Sequence, residues 1–458
     1  MSRKYGFHTL RTGLFHHVLN QWGYEGKKEA LQYFKQLGFV DIVGIIGYPA
    51  PESQDSTKSC SGQVSTVFKG LYLPIWEQHS NETLINQENT FAAYVWEVAN
   101  SFKGLVSIYE VWNEPDAGNG GLPKGLPGNW WDAPPPPCQT GLNASVFTYV
   151  RMLRITYEVL KKVDPNALVA TGGLGWPAYL DAICRYTDQP LTGKISSDSF
   201  PLTGGAYFDC VSFHAYPHLF TKPISGSKNK DAASSLYSNA ALEGLWGLKN
   251  QLNQVLLNHG FDGIKYPEKR WICTEFNLPR EPSKSWSGDE STQLDFVVKA
   301  LASAPANKVN QMHLYALSDG RNQHPATPEF DAMGMFEALD TTRLSKPKPH
   351  AIALAIKHFE ELLNGYAFDP DPKAQPELPS WLEGSIFKDK AGKEAIVLWL
   401  KNPTESETPL FYMPQQWASQ RWTLYPIGSA HYRSPDLIKD GVIPMPPYPI
   451  LLLSHPSW

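Results

Sequence analysis

Two glutamates close apolar, strand-like runs in this chain. The first ends Val106-Ser107-Ile108-Tyr109-Glu110-Val111-Trp112-Asn113-Glu114-Pro115. The second ends Arg270-Trp271-Ile272-Cys273-Thr274-Glu275-Phe276-Asn277. β-Branched and aromatic residues favour strands. Pro115 cannot donate to a ladder, so the first strand is expected to stop there and present Glu114 at its C-terminal tip. Two carboxyl groups so placed suit acid/base cleavage of a glycosidic bond. One protonates the departing oxygen and the other supplies electron density to the anomeric carbon, provided that their surroundings split their ionisation. Trp112 and an open loop beside Glu114 favour a protonated acid through desolvation. Imidazole and phenol donors on flanking strands, from His214, Tyr216 and Tyr315, suit Glu275 as an anion for nucleophilic attack.

Other side chains group around this pair. Asn113 can donate to a sugar hydroxyl or simply form an Asx turn. His214 and Tyr216 sit at the tip of Phe213-His214-Ala215-Tyr216-Pro217. Tyr48 and Tyr315 divide evenly between core and pocket, whereas Asp319 and Arg321, after the last strand, could touch substrate but read rather as a solvated loop. Aromatic residues reach 12%, with 15 Trp, more than a solvated surface needs. Most are expected in packing. Trp112, Trp130, Trp131, Trp176 and Trp286 fall in loops or strand ends and are the candidates for stacking on sugar rings.

The elements that must hold these residues alternate. Helical spacing runs over 26–37, 86–102, 145–163, 179–186, 235–258, 292–303 and 349–363. Strand-like runs cover 41–48, 106–113, 168–174, 208–216, 271–276 and 309–317, with a short element at 67–76. Alternation of this kind implies a parallel sheet, and polar or aromatic tips at strand C-termini point to a (β/α)8 barrel of the TIM type. An open doubly wound sheet would carry an early glycine-rich phosphate turn, which is lacking. If Glu114 ends the fourth strand, only Tyr5–Thr9 remains for the units before residue 41, so the first βα unit is missing or abbreviated. After residue 365 the pattern changes to short strands at 384–388, 395–401, 422–425 and 450–454, with a hairpin turn at Ala391-Gly392-Lys393. The domains expected are a barrel over 1–365 and a small C-terminal β-sandwich over 366–458. The stretch from Gly118 to Gly141, rich in Gly, Pro and Trp, is too long for an idle loop.

Composition excludes several classes. A net charge of −5 gives no footprint for nucleic acid. No run is apolar enough to cross a membrane, and the N-terminal residues lack the apolar core of a signal peptide. A secreted and a cytoplasmic location both stay open, as does the oligomeric state. Five cysteines at irregular spacing argue against a disulfide framework, although Cys60 and Cys138 in long loops could pair. Neither metal-ligand spacing nor a cofactor motif appears, so no metal and no cofactor is expected.

Trp112-Asn113-Glu114-Pro115 resembles the Asn-Glu-Pro signature of clan A retaining glycoside hydrolases, and Thr274-Glu275-Phe276 resembles their nucleophile strand. The longer stretches Tyr109–Asp116, Phe213–Tyr216 and Ile272–Asn277, with Met333-Gly334-Met335-Phe336, are similar to glycoside hydrolase family 39. The resemblance implies that Glu114 is the acid/base and Glu275 the nucleophile of a double displacement. It also implies that Asn113 binds the hydroxyl beside the anomeric carbon and that His214 and Tyr216 shape the subsite near Glu275. The substrate would be an oligo- or polysaccharide, with the sugar left open because that family spans xylosides, iduronides and exopolysaccharides. A carbohydrate-binding protein on a catalytically dead barrel is the alternative, and an oligomerising scaffold a third.

Overall fold

The structure is a computed structural model describing residues 8–57, 64–79, 82–117, 141–194, 199–220, 230–282, 288–320, 328–339, 348–370, 378–403, 408–418, 420–427, 435–438 and 440–455. Strand and helix alternate from the start. β1 (Thr9–Gly13) leads to α1 (His16–Trp22), α2 (Glu25–Gln36) and β2 (Asp41–Ile46). A hairpin of β3 (Trp76–His79) and β4 (Glu82–Ile85) precedes α3 (Thr90–Ser101), β5 (Ile108–Val111), α4 (Val146–Val163), β6 (Leu168–Ala170) and α5 (Pro177–Arg185). Then come β7 (Cys210–Ala215), α6 (Lys230–Asn258), β8 (Arg270–Phe276), α7 (Glu290–Ser303), β9 (Val309–Leu314) and α8 (Ala351–Leu362).

β1, β2, β5, β6, β7, β8 and β9 form one sheet of seven strands in that order. From β1 to β7 each registered pair is parallel. Parallel neighbours need a crossover, which the helices supply. Strand order that follows chain order is the TIM-type α/β architecture expected from the sequence. Strands covered on both faces read as continuous apolar runs. All six residues of β7 are buried accordingly, and Val43, Ile108, Ala170, Cys210 and Ile272 pack into one layer across five strands.

The strand count resolves differently from the eight-unit reading. The leftover strand lies at Thr9–Gly13 rather than Tyr5–Thr9, and the strand carrying Glu114 is third of the seven among the described residues. The helix at residues 16–22 was not anticipated, because seven residues hold too little periodicity to show. The short element expected at 67–76 is a set of turns, and the β3–β4 hairpin begins only at Trp76. Helix starts follow capping: Asn89, Ser145 and Asp289 accept from the backbone N–H three residues on. Among the described residues no helix is long and apolar enough to cross a membrane.

The chain divides into two compact units. One comprises His8–His214 with Leu248–Thr274, and the other includes Ala215–Gly247 and the described residues from Glu275 onward. The second unit holds the C-terminal sheets. β10 (Ala367–Phe368), β11 (Leu382–Lys388), β12 (Glu394–Leu400), β13 (Leu410–Tyr412), α9 (Gln415–Ala418), β14 (Arg421–Pro426), β15 (Asp436–Ile438), β16 (Val442–Pro444) and β17 (Ile450–His455) follow α8. Six strands pair in the order β10-β11-β12-β17-β14-β15, and β13 pairs with β16. Antiparallel register sets Leu382, Gly384 and Ile386 opposite Leu400, Leu398 and Ile396. Alternate residues therefore share a face, and Leu382, Ile386, Ile396, Leu398 and Leu400 join Phe411, Trp417, Trp422 and Ile443 in one core. This is the expected β-sandwich.

Candidate active site

The first unit builds the surroundings of Glu114. β5 ends at Val111, earlier than the sequence suggests, because Trp112 (φ 69°) and Glu114 (φ 48°) adopt left-handed backbone. Such conformations cost non-glycine residues on the order of 1–3 kcal/mol each and persist only where the surroundings impose them. Here the Trp112 N–H donates to Ile46 O and the Glu114 N–H to Gly172 O. Trp112 is 1% exposed, and its indole stacks on Tyr48 at 4.4 Å and 18°. The expectation that Trp112 offers an open face to sugar is corrected. Its ring is buried and stacked on Tyr48.

Glu114 Oε1 lies 2.7 Å from His214 Nδ1, with the imidazole side chain 3% exposed and the carboxylate side chain 35%. His214 Nε2 lies 3.0 Å from Thr274 Oγ1. Beneath them Glu110 is fully buried. Its Oε1 accepts from Ser212 Oγ at 2.7 Å and Thr274 Oγ1 at 2.8 Å, and its Oε2 accepts from Arg11 Nε at 2.7 Å. Arg11 Nη2 also donates to Asn113 Oδ1 at 2.7 Å, so the amide oxygen is engaged and the NH2 is the group with donors to offer. The guanidinium thus ties the strand interior to the asparagine beside Glu114.

Charge balance at Glu114 differs from the sequence expectation. Burial pushes the carboxyl up, but the hydrogen bond to His214 and the charges of His214 and Arg11 outweigh it. The net direction is down. Asp116, two residues on, moves the other way. Burial pushes it up to about 7, although its Oδ2 accepts from the Gly175 N–H at 2.9 Å and the Trp176 N–H at 2.8 Å, and the charge of Glu114 adds to the rise. Asp116 thereby fixes the loop after β6. In that loop Gly173 has φ +68°, and a Cβ there would lie 2.2 Å from His214 Nε2, so only glycine leaves the imidazole its place.

The second unit builds the surroundings of Glu275. The Tyr216 hydroxyl donates to Glu275 Oε2 at 2.5 Å. Tyr216 is itself boxed by Phe330 at 4.8 Å, Tyr315 at 5.9 Å and His218 at 6.2 Å, all edge-on. Asn277, next but one to Glu275, donates to the carbonyls of Tyr315 and Met333 and so fastens the end of β8 to the β9 loop. Arg280 grips Asp319 through two nitrogens at 2.8 and 2.6 Å, and His350 Nε2 lies 2.8 Å from the same carboxylate. Asp319 is therefore a partly buried ion-pair residue, not the solvated loop side chain expected.

Among the described residues, Glu114, Asn113, His214, Trp112 and Tyr48 gather in the first unit and Glu275, Tyr216 and Tyr315 in the second. Trp130, Trp131, Trp286, Arg321, Cys60 and Cys138 lie outside the described residues. Sequence reasoning missed Arg11, Ser212 and Asp116 and gave no role to Glu110 and Thr274. Glu110 had a signal: a charge inside an apolar strand. Arg11 had none, since its partners lie about a hundred residues away. Cys184, Cys210 and Cys273 are buried and outside any disulfide.

No protein-family model and no curated protein matches this chain. Solved structures do. A family 39 glycoside hydrolase from Bacteroides cellulosilyticus aligns at TM-score 0.58 and 15% identity over 99% of this chain and 76% of its own. A glucosidase from Croceicoccus marinus aligns at 0.53 and 10% over 99% and 91%. A GH51 arabinofuranosidase from Xanthomonas axonopodis pv. citri aligns at 0.51 and 11% over 99% and 88%. At these identities the likeness is one of fold: the chain has the barrel-and-sandwich fold of these structures along nearly its whole length.

Proposed function

We propose that this chain is a retaining O-glycosidase in which Glu114 is the acid/base and Glu275 the nucleophile. The carrying observation is that two glutamates at strand C-terminal ends each have one carboxylate oxygen fixed by a ring: His214 on Glu114 Oε1 and Tyr216 on Glu275 Oε2. That grip orients each carboxyl. Glu275 attacks the anomeric carbon and forms a glycosyl ester, while Glu114 delivers a proton to the departing oxygen. Water then breaks the ester as Glu114 takes a proton back. Asn113, with its amide oxygen held by Arg11, donates to the sugar hydroxyl beside the reacting carbon. The fold supports this reading, since the similar solved chains are by name glycoside hydrolases, a glucosidase and an arabinofuranosidase.

The test is a screen of aryl glycosides and oligo- and polysaccharides with wild type, Glu114→Ala and Glu275→Ala. Each variant is expected to lose ~10²-fold or more in kcat with a natural leaving group. Azide should rescue the two variants to glycosyl azides of opposite anomeric configuration. Identical products would overturn the split of roles, and a wild type that binds but cleaves nothing would leave a carbohydrate-binding protein.

A further inference from the structure

A cluster of hydroxyls lies behind His214, and counting its protons settles which imidazole nitrogen carries hydrogen. Three oxygens meet under the ring: Glu110 Oε1, Ser212 Oγ and Thr274 Oγ1. Ser212 Oγ lies 2.7 Å from Glu110 Oε1, Thr274 Oγ1 lies 2.8 Å from it, and the two hydroxyls lie 2.6 Å apart. Two hydroxyl protons serve these three short contacts. A bond to a carboxylate is roughly twice as strong as one between neutral groups, so neither proton is to spare for a ring nitrogen. Turning the Thr274 proton toward His214 Nε2 would set its lone pairs against the Glu110 carboxylate and the Ser212 oxygen together, with Glu110 and Ser212 fully buried from bulk solvent.

We infer that Glu110, through Ser212 and Thr274, fixes His214 with hydrogen on Nε2, and that Thr274 Oγ1 is its acceptor at 3.0 Å. The consequence lies at the other nitrogen. Nδ1 faces Glu114 Oε1 at 2.7 Å, and a contact that short needs a proton between its atoms. With Nε2 already protonated, the proton belongs either to an imidazolium donating to a carboxylate or to a carboxyl donating to a neutral ring. Both states hold one proton in the Glu114–His214 pair beyond the Nε2 hydrogen. The state that loses it is penalised either way: a bare Nδ1 lone pair against a carboxylate, or a bare Nε2 lone pair against the Thr274 oxygen. Glu110, Ser212 and Thr274 are thus positioning residues that act through His214 to hold one proton in the Glu114–His214 pair. The role in catalysis rests on the acid/base reading of Glu114; the tautomer does not.

The experiment is 15N NMR of histidine-labelled protein, with the His214 signals assigned by difference from His214→Asn. Nε2 of His214 is expected in its protonated form across the neutral range. Thr274→Val is isosteric and removes the acceptor. It should move His214 toward the Nδ1–H form and lower kcat ~10-fold with little change in KM. Thr274→Ser restores the hydroxyl and should restore both. An unprotonated Nε2 in wild type overturns the inference without any variant needing to fold. An unchanged tautomer in a folded Thr274→Val overturns it too. A protonated Nε2 in a protein whose Glu114→Ala variant keeps full glycosidase activity would uphold the tautomer and sink the acid/base reading instead.

Discussion

Glu114 carries opposing influences within a few ångströms. Burial favours its neutral form, and His214 with Arg11 favours the anion and prevails in the free protein. A bound sugar would cover the exposed third of the side chain and strengthen the burial side of that balance. The alkaline limb of kcat, which reports the complex, is therefore expected at higher pH than that of kcat/KM, which reports the free protein. Coincident limbs across a pH series would refute this. Arg11 is the hinge between buried Glu110 and Asn113. Arg11→Lys keeps the charge and loses the fork that reaches both partners. It should raise KM several-fold and cost about 1–3 kcal/mol of stability, measured by urea unfolding, since one partner of a buried ion pair is left poorly served. Glu110 was visible in the sequence as a charge in an apolar strand, whereas the choice of Arg11 among all basic residues was not, because nothing local to Arg11 distinguishes it.

At the scale of elements, strand ends do the positioning. β5 stops at Val111 not at Pro115 alone but because the next residues turn left-handed over a buried indole. The loop after β6 is shaped by Gly172, Gly173 and the Asp116 carboxylate. Gly173→Ala would set a methyl against His214 and strain a positive φ. A loss of about 2 kcal/mol and displacement of the imidazole are expected. A crystal structure of the variant with His214 unmoved and an unchanged melting temperature would contradict it. The β–α alternation was legible because 3.6- and 2-residue periods are local properties. The hairpin at 76–85 and the helix at 16–22 were not, because they are short and owe their form to what they pack against.

Across the molecule, pH links these sites to stability. Asp116 has its carboxyl raised to about 7 in the fold, so its contribution is full below the unfolded value near 4 and is lost as pH rises through 7. His218 is the reverse. Burial lowers it to about 4, so its contribution is present above the unfolded value near 6.5 and is lost as pH falls through 4. Relative to Asp116→Asn, wild type should lose stability between pH 4 and 7, by roughly 1 kcal/mol or more. Melting curves in which the two proteins run parallel would disprove the assignment. Within the second unit, Asn239 joins α6 to the sandwich by donating to the Leu400 and Lys401 carbonyls, while its Oδ1 accepts from buried Lys299 at 2.9 Å. Asn239→Ala strands all three groups and should cost about 2 kcal/mol, read as a lower melting temperature by calorimetry.

By itself the sequence determined the fold class, and it singled out the two glutamates with His214 and Tyr216 as candidates. Apolar period, proline stops and residue chemistry are written in adjacent letters. It left open how each glutamate is held. Only the tertiary structure decided that the Trp112 ring is buried against Tyr48 and that Glu114 leans on His214. It also decided that Thr274 and Ser212 complete a buried carboxylate four residues upstream of Glu114. Those facts depend on which strands become neighbours in the sheet, and strand neighbours are chosen by packing between segments far apart in the chain.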